Sequence, residues 1–240
     1  AEALRGIAEH GRDYFYGGEF GKGLRKLGPD LFSESDLATP GADWVEPLSQ
    51  PAFSKVLYTI PPNSQGYLIL GAASLADRLG LPDDPDDPQW AHLLIEAATV
   101  AGYDRPDVLH DRADGRALLN RIVGDLAGVE RTKASRKYVP TRDGDTTYLC
   151  TVDDQRMGVS LIQSNASGFG SWLVEPKTNI NLHNRGLGFS LESGHSAELT
   201  PGHRPPHTLC PAMATETDGS LAAVFGTMGG DGQPQILLQI

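Results

Sequence analysis

The feature that most restricts what this chain can become is a change of hydrophobic rhythm at Thr146. Upstream, apolar residues recur at helical spacing, as at Leu68, Ile69, Ala72, Leu75, Ala76 and Leu79, and again at Leu93, Leu94, Ala97, Ala98 and Ala101. Downstream come short, β-branched, strand-like segments divided by glycine turns, such as Val159–Gln163 and Leu221–Gly226. The spacing predicts helices over 2–10 (ended by Gly11), 20–27, 66–79, 88–103 and 114–127, with a capped helical turn at 32–37. Strands are expected at 44–48, 55–60, 147–153, 157–163 and 221–226, and an apolar helix-like segment at 234–240. Helices followed by strands in 240 residues indicate an α+β arrangement, in which 1–145 is mostly helical and 146–240 mostly strand.

The junction has chemistry of its own. Residues 128–145 carry charge, glycine and proline with few apolar side chains, which reads as an exposed, mobile loop ending in Arg142-Asp143-Gly144-Asp145. Thr146-Thr147 therefore sits where a loop becomes a strand. A threonine hydroxyl is a weak nucleophile near neutral pH, but a threonine at a chain end carries its own base, an α-amine with a pKa of about 7.7–8.0. Cutting Asp145–Thr146 would create nucleophile and base together. The plainer alternative is that threonine pairs are simply common at strand starts.

Two further segments allow a catalytic reading beside an ordinary one. Gly229-Gly230 follows a strand, and its N–H groups suit a developing oxyanion, although a plain turn has the same look. Gln163-Ser164-Asn165 ends the strand expected to pair with 147–153, which would bring its short polar side chains near Thr146; turn residues look the same. Arg185, in a polar glycine loop, suits a carboxylate or a solvated surface equally.

Charge and composition exclude several classes. With a net charge of −11 there is no basic footprint for nucleic acid or an anionic membrane. No apolar run approaches the length of a transmembrane helix. His183, His195, His203 and His207 are scattered among prolines, so no metal is expected, nor any cofactor. No Gly-x-Ser-x-Gly elbow is present to support a serine triad. Cys150 and Cys210 read as two buried free thiols. The chain starts Ala1-Glu2-Ala3 inside a helical pattern and ends in an apolar one, so it is expected to be an internal piece of a longer protein; compartment is left open.

Taken together, the motifs resemble the γ-glutamyltransferase (γ-glutamyl transpeptidase) family of N-terminal-nucleophile hydrolases. Asp145-Thr146-Thr147-Tyr148 resembles the processing site and first strand of the small subunit. Val159–Asn165 with Gly168-Phe169-Gly170-Ser171 resembles the next strand and its turn. Asn184 to Ser190 and Pro201-Gly202-His203-Arg204-Pro205 resemble the substrate loops, and Gly226–Gly230 the oxyanion loop. Upstream, Phe15–Glu19, Trp44–Leu48 and Pro61–Gly66 resemble the later large subunit.

The resemblance implies a four-layer αββα sandwich and self-cleavage at Asp145–Thr146, after which the large and small subunits stay paired. It implies that Thr146 attacks a γ-glutamyl or related amide and that water or an amino acid resolves the acyl-enzyme. Gly229 and Gly230 would supply oxyanion N–H groups, and Ser164 a hydroxyl beside the nucleophile. Asn165, Arg185, His207 and Thr208 would face substrate. Two departures stand out. Well-known transferases of the family place an acidic residue at about Gly188 to hold the α-ammonium, and paired serines where this chain has His207-Thr208. The family's early carboxylate-binding arginine also lies outside this chain. The expectation is retained catalytic machinery with altered glutamyl recognition, Arg185 facing a carboxylate. The alternatives are an acylase of the cephalosporin (glutaryl) type with little transpeptidase activity, or a non-catalytic relative or inert fragment.

Overall fold

The computed structural model describes residues 2–135, 137 and 145–240. In chain order the elements are α1 (Glu2–Gly17), α2 (Glu19–Leu27), α3 (Glu34–Ala38), β1 (Leu48–Ala52), β2 (Lys55–Thr59), α4 (Tyr67–Leu79), α5 (Pro88–Gly102), α6 (Arg105–Val108), α7 (Gly115–Gly124), β3 (Asp145–Val152), β4 (Gly158–Ala166), β5 (Val174–Glu175), β6 (Ile180–Asn181), β7 (Ala212–Thr215), β8 (Leu221–Phe225) and α8 (Gln233–Leu237). They fall into two compact units, one of Ala1–Trp44 with Ser167–Asn184, the other of Val45–Ala166 with Arg185–Ile240.

The larger unit is built around α4. Its sequence is apolar on nearly every side, so the helix is buried rather than laid on a surface: Tyr67, Leu70, Leu75 and Ala76 are fully enclosed. Around it pack Leu93, Leu94 and Ala97 of α5, Leu119 and Ile122 of α7, and Leu48 of β1. Gly80, at φ 71, ends α4 in the left-handed conformation that glycine adopts without strain. Asp87 starts α5 by accepting the Gln89 N–H, with Pro88 in the first turn, where its missing N–H costs nothing.

A four-stranded antiparallel sheet in the order β1-β2-β7-β8 lies in the same unit, drawing two strands from before Thr146 and two from after it. The first of these begins at Leu48, not at Trp44 as the sequence suggested. Trp44, Val45 and Glu46 are exposed and, among the described residues, belong to no strand, whereas Leu48–Ala52 turns back tightly on Lys55–Thr59. Residues 128–135 also differ from expectation. Val129 is buried, Arg131 donates to Leu79 O at 2.9 Å, and the Ser135 N–H donates to the buried Glu96 carboxylate at 2.9 Å. The loop expected over 138–144 lies outside the described residues.

β3 and β4 form an antiparallel hairpin whose short polar turn is the one the sequence indicated. Ser160 fastens it to the sheet: its hydroxyl accepts the Ala212 N–H (3.2 Å), donates to Phe225 O (3.3 Å), and meets the Tyr148 hydroxyl at 3.0 Å. Among the described residues β3 pairs only with β4, which leaves Cys150 exposed and corrects the expectation of two buried thiols; Cys210 is enclosed as expected.

In the smaller unit, α1 bends at Gly11 (φ 62), then resumes as a helix. Ser33 caps α3 through a reciprocal bond with Asp36, the capped turn expected there. Glu175 is buried at the start of the β5–β6 turn. Hydrogen bonds from Thr178 and Lys177 favour its charged form and hold its carboxyl below the usual range. A side chain at Gly23 would strike this carboxylate.

Candidate active site

The register of the hairpin changes at Thr146. Asp145 pairs with Ala166 and Thr147 with Gln163, so two residues, Ser164 and Asn165, lie opposite the single Thr146. This is a β-bulge, a device that re-aims side chains and recurs beside active sites. Ala166 closes it with a φ of 78. Thr146 is 7% exposed, while Asp145 and Thr147 on either side are exposed. The sequence pointed to this pair without separating its members by structure; the bulge buries the first and turns the second outward.

Ser164 touches the bond that would be cut. Its Oγ lies 2.7 Å from Asp145 O, the carbonyl of the Asp145–Thr146 peptide. The direction of this hydrogen bond is fixed by chemistry. A carbonyl can only accept, and the Ser164 oxygen already accepts the Ala166 N–H at 2.9 Å, so the hydroxyl hydrogen points at the carbonyl. A turn residue would need no such aim. Asn165, the other bulge residue, is exposed.

The strand that leads to the glycine pair packs against the hairpin. Gly158 abuts Val224 and Leu221, and Ser160 bonds Phe225 O, so β4 and β8 run side by side in one direction. Leaving β8, the chain passes so close to Tyr148, two residues beyond Thr146, that only glycine fits at Gly226. Gly229 (φ 131) and Gly230 (φ 54) then adopt conformations that strain any other residue, and the Gly232 N–H bonds Gly229 O at 2.9 Å. Backbone of this kind is used to hold anions and oxyanions on N–H groups.

Gln65 ties this loop to the segment at 205–209. Its side-chain amide, wholly buried, donates to Gly230 O at 3.2 Å and Thr208 O at 3.3 Å. Its backbone N–H donates to His207 O, and the Ser64 hydroxyl to Leu209 O at 2.6 Å. The Pro61–Gly66 motif, which reads from sequence as a loop feeding α4, thus aligns both the glycine loop and His207-Thr208.

Charge is concentrated here. Arg105 pairs with Asp231 at 3.0 Å, both side chains largely buried, and Asp231 directly follows Gly230. Arg185 opens a short 3-10 turn, Arg185–Gly188. Burial draws its pKa down, opposed by the attraction of Asp231, and it remains a cation. Burial first, then Arg185 and Arg105, hold His207 down to about 4, and its Nδ1 accepts the Leu209 N–H at 3.2 Å. His207 is therefore neutral, with its proton on Nε2. Arg105, Asp231 and Gln65 escaped the sequence reading; only Gln65 lay inside a motif it had singled out. Among the described residues, no group of His, Cys, Asp and Glu is arranged to hold a metal.

The Gamma-glutamyltranspeptidase family model matches residues 1–240. The chain belongs to this family. It is 36% identical over 245 residues to the oxamate amidohydrolase proenzyme of Klebsiella pneumoniae, covering 98% of this chain and 46% of the relative. It is 31% identical over 245 residues to the glutathione hydrolase-like YwrD proenzyme of Bacillus subtilis, with the same coverage. The crystal structure of cephalosporin acylase from Bacillus halodurans superposes with a TM-score of 0.85 at 32% identity, covering 100% of this chain and 45% of that one. The chain thus spans about half the length of these relatives. The α+β fold is that of the N-terminal-nucleophile hydrolases, and the gamma-glutamyltranspeptidase relatives named here are hydrolases, two of them proenzymes.

Proposed function

We propose that the protein containing this chain is a self-processing threonine amidohydrolase or acyltransferase acting on γ-glutamyl or related amides. The observation that carries this reading is the Ser164 hydroxyl aimed at the Asp145 carbonyl beside a buried Thr146. In the precursor, Thr146 Oγ1 attacks the Asp145 carbonyl carbon and Ser164 stabilises the oxyanion. The C–N bond breaks, the nitrogen takes a proton to become the α-amine, and water hydrolyses the resulting ester. The freed amine then draws the proton from Thr146 Oγ1 as that oxygen attacks a substrate amide. Gly229 and Gly230 hold the second oxyanion, the amine leaves, and water or an amino acid releases the acyl group. Residues 1–145 and 146–240 then belong to the large and small subunits, which remain paired.

A second reading is favoured by the departures around Gly188. The chain resembles an acylase structure closely, and one relative is named for hydrolysing oxamate, an amide with a carboxylate and no amino acid head. We infer an amidohydrolase with little transfer activity, in which Asn165, Arg185, His207 and Thr208 contribute to the substrate site. Denaturing electrophoresis of the full-length protein tests the core of this. Wild type gives two subunits and Thr146→Ala one band; a wild type that stays intact supports the inert relative instead.

A further inference from the structure

This inference rests on the amidohydrolase reading and names a positioning residue for it. We propose that Arg105 fixes the Gly229-Gly230 loop from outside, through Asp231, and so keeps the two N–H groups assigned to the substrate oxyanion aligned during turnover.

The first support is that the loop's own sequence does little to fix it. Four of the seven residues from Gly226 to Gly232 are glycine, the residue that gives up most conformational freedom when ordered. The loop's internal hydrogen bonds are local, from the Gly232 N–H to Gly229 O at 2.9 Å and from the Gln233 N–H to Gly230 O. Neither determines where the loop stands against the helices. Groups that act on a transition state must be held to within about half an ångström by their surroundings.

The second support is the source of that outside hold. Gln65 takes Gly230 O, and Arg105 takes the next residue, Asp231, at 3.0 Å, with the two side chains 16% and 11% exposed. At that burial the attraction is screened far less than between surface charges. The Arg105 guanidinium also helps to keep His207 neutral, so it stands near both of the segments that Gln65 joins.

The third support is that Arg105 is itself anchored. It opens α6, and its carbonyl accepts the N–H of the buried Leu109 at 3.0 Å. The carboxylate of the preceding residue, Asp104, is bound by Arg121 of α7, with Nη2 3.1 Å from Oδ1. Two consecutive residues thus join α7 to the glycine loop through two ion pairs, Arg121–Asp104 and Arg105–Asp231.

The test uses the full-length protein, with self-cleavage followed by mass and turnover measured on γ-glutamyl- and glutaryl-p-nitroanilide. In Arg105→Gln, kcat falls by about ten- to a hundredfold, the scale of a small displacement of catalytic groups, while KM changes little. Self-cleavage, whose oxyanion meets Ser164 instead, slows far less than turnover. Arg105→Lys, which keeps the charge on a different stem, shows a smaller loss of the same kind and decides the matter if Arg105→Gln does not fold. Asp231 also attracts Arg185, so the share that belongs to Arg105 is isolated by a cycle with Asp231→Asn. The double variant loses less in kcat than the product of the two single losses. A rise in KM at unchanged kcat, equal slowing of self-cleavage and turnover, or single losses that simply multiply overturns this inference alone. A wild type that does not cleave itself, or that turns over neither anilide, overturns the amidohydrolase reading and this inference with it.

Discussion

Ser164 donates its hydroxyl hydrogen to the carbonyl oxygen of Asp145, 2.7 Å away, across a bulge that holds Thr146 between them. The oxygen that would become an oxyanion during self-cleavage is thus already met by a donor held in place by the Ala166 N–H. Ser164→Ala removes that donor while leaving Thr146 in place. We predict that self-cleavage slows by about a hundred- to a thousandfold, the usual effect of deleting one oxyanion donor. Ser164→Thr, which keeps the hydroxyl, restores most of the rate. Conversion of precursor to subunits, followed over time on denaturing gels, measures both.

The contact of Gly188 with Pro206 O predicts that Gly188→Asp does not turn the protein into a γ-glutamyl transferase. The new side chain forces the 185–188 turn away from 205–206. Stability falls by about 1–3 kcal/mol, the range for overpacking, and γ-glutamyl turnover does not rise. Urea unfolding and an anilide assay on the same preparation decide it; a stable variant with new γ-glutamyl activity would refute the steric argument.

Gln65 joins the glycine loop to the His207-Thr208 segment from a wholly buried position. Gln65→Leu leaves Gly230 O and Thr208 O without this donor, a loss of about 1–3 kcal/mol. Because the loosened element carries the proposed oxyanion donors, Gly229 and Gly230, kcat should fall more than KM rises. Steady-state kinetics on any turned-over amide, with a melting curve as control, shows whether the effect is on positioning or only on folding.

His207 gives a pH dependence of definite sign. Its folded pKa lies at about 4, below the ordinary 6.5, so the unfolded chain binds a proton that the folded chain refuses. That contribution to stability is whole above about 6.5 and shrinks as the pH falls toward 4, by on the order of 3 kcal/mol across the window. His207→Gln flattens this part of the stability profile, measured by urea titrations at successive pH values.

Much of the fold was legible because α4 and α5 are long enough for periodicity to show and carry clear stop and start signals at Gly80 and Asp87. The four-residue α6 and the short β7, Ala212–Thr215, are too brief for either rhythm, and β1 began later than its apolar residues suggested. In the candidate site, the closeness of Thr146 and Ser164 was readable because both lie on a single hairpin. The Gln65–Gly230 tie joins residues 165 positions apart, and the Arg105–Asp231 pair joins a helix to the glycine loop. Both are created by packing around α4, which no local pattern records. Cys150 was misplaced for the same reason: a strand pattern shows alternation, but not whether a second sheet covers either face.

The central claim is that the chain breaks at one bond to free one amine. Intact-mass and N-terminal fragment measurement of the purified full-length protein tests it most directly. The account predicts a fragment beginning at Thr146 in the wild type and none in Thr146→Ala; an unbroken wild type, or a fragment beginning at any other residue, would contradict it.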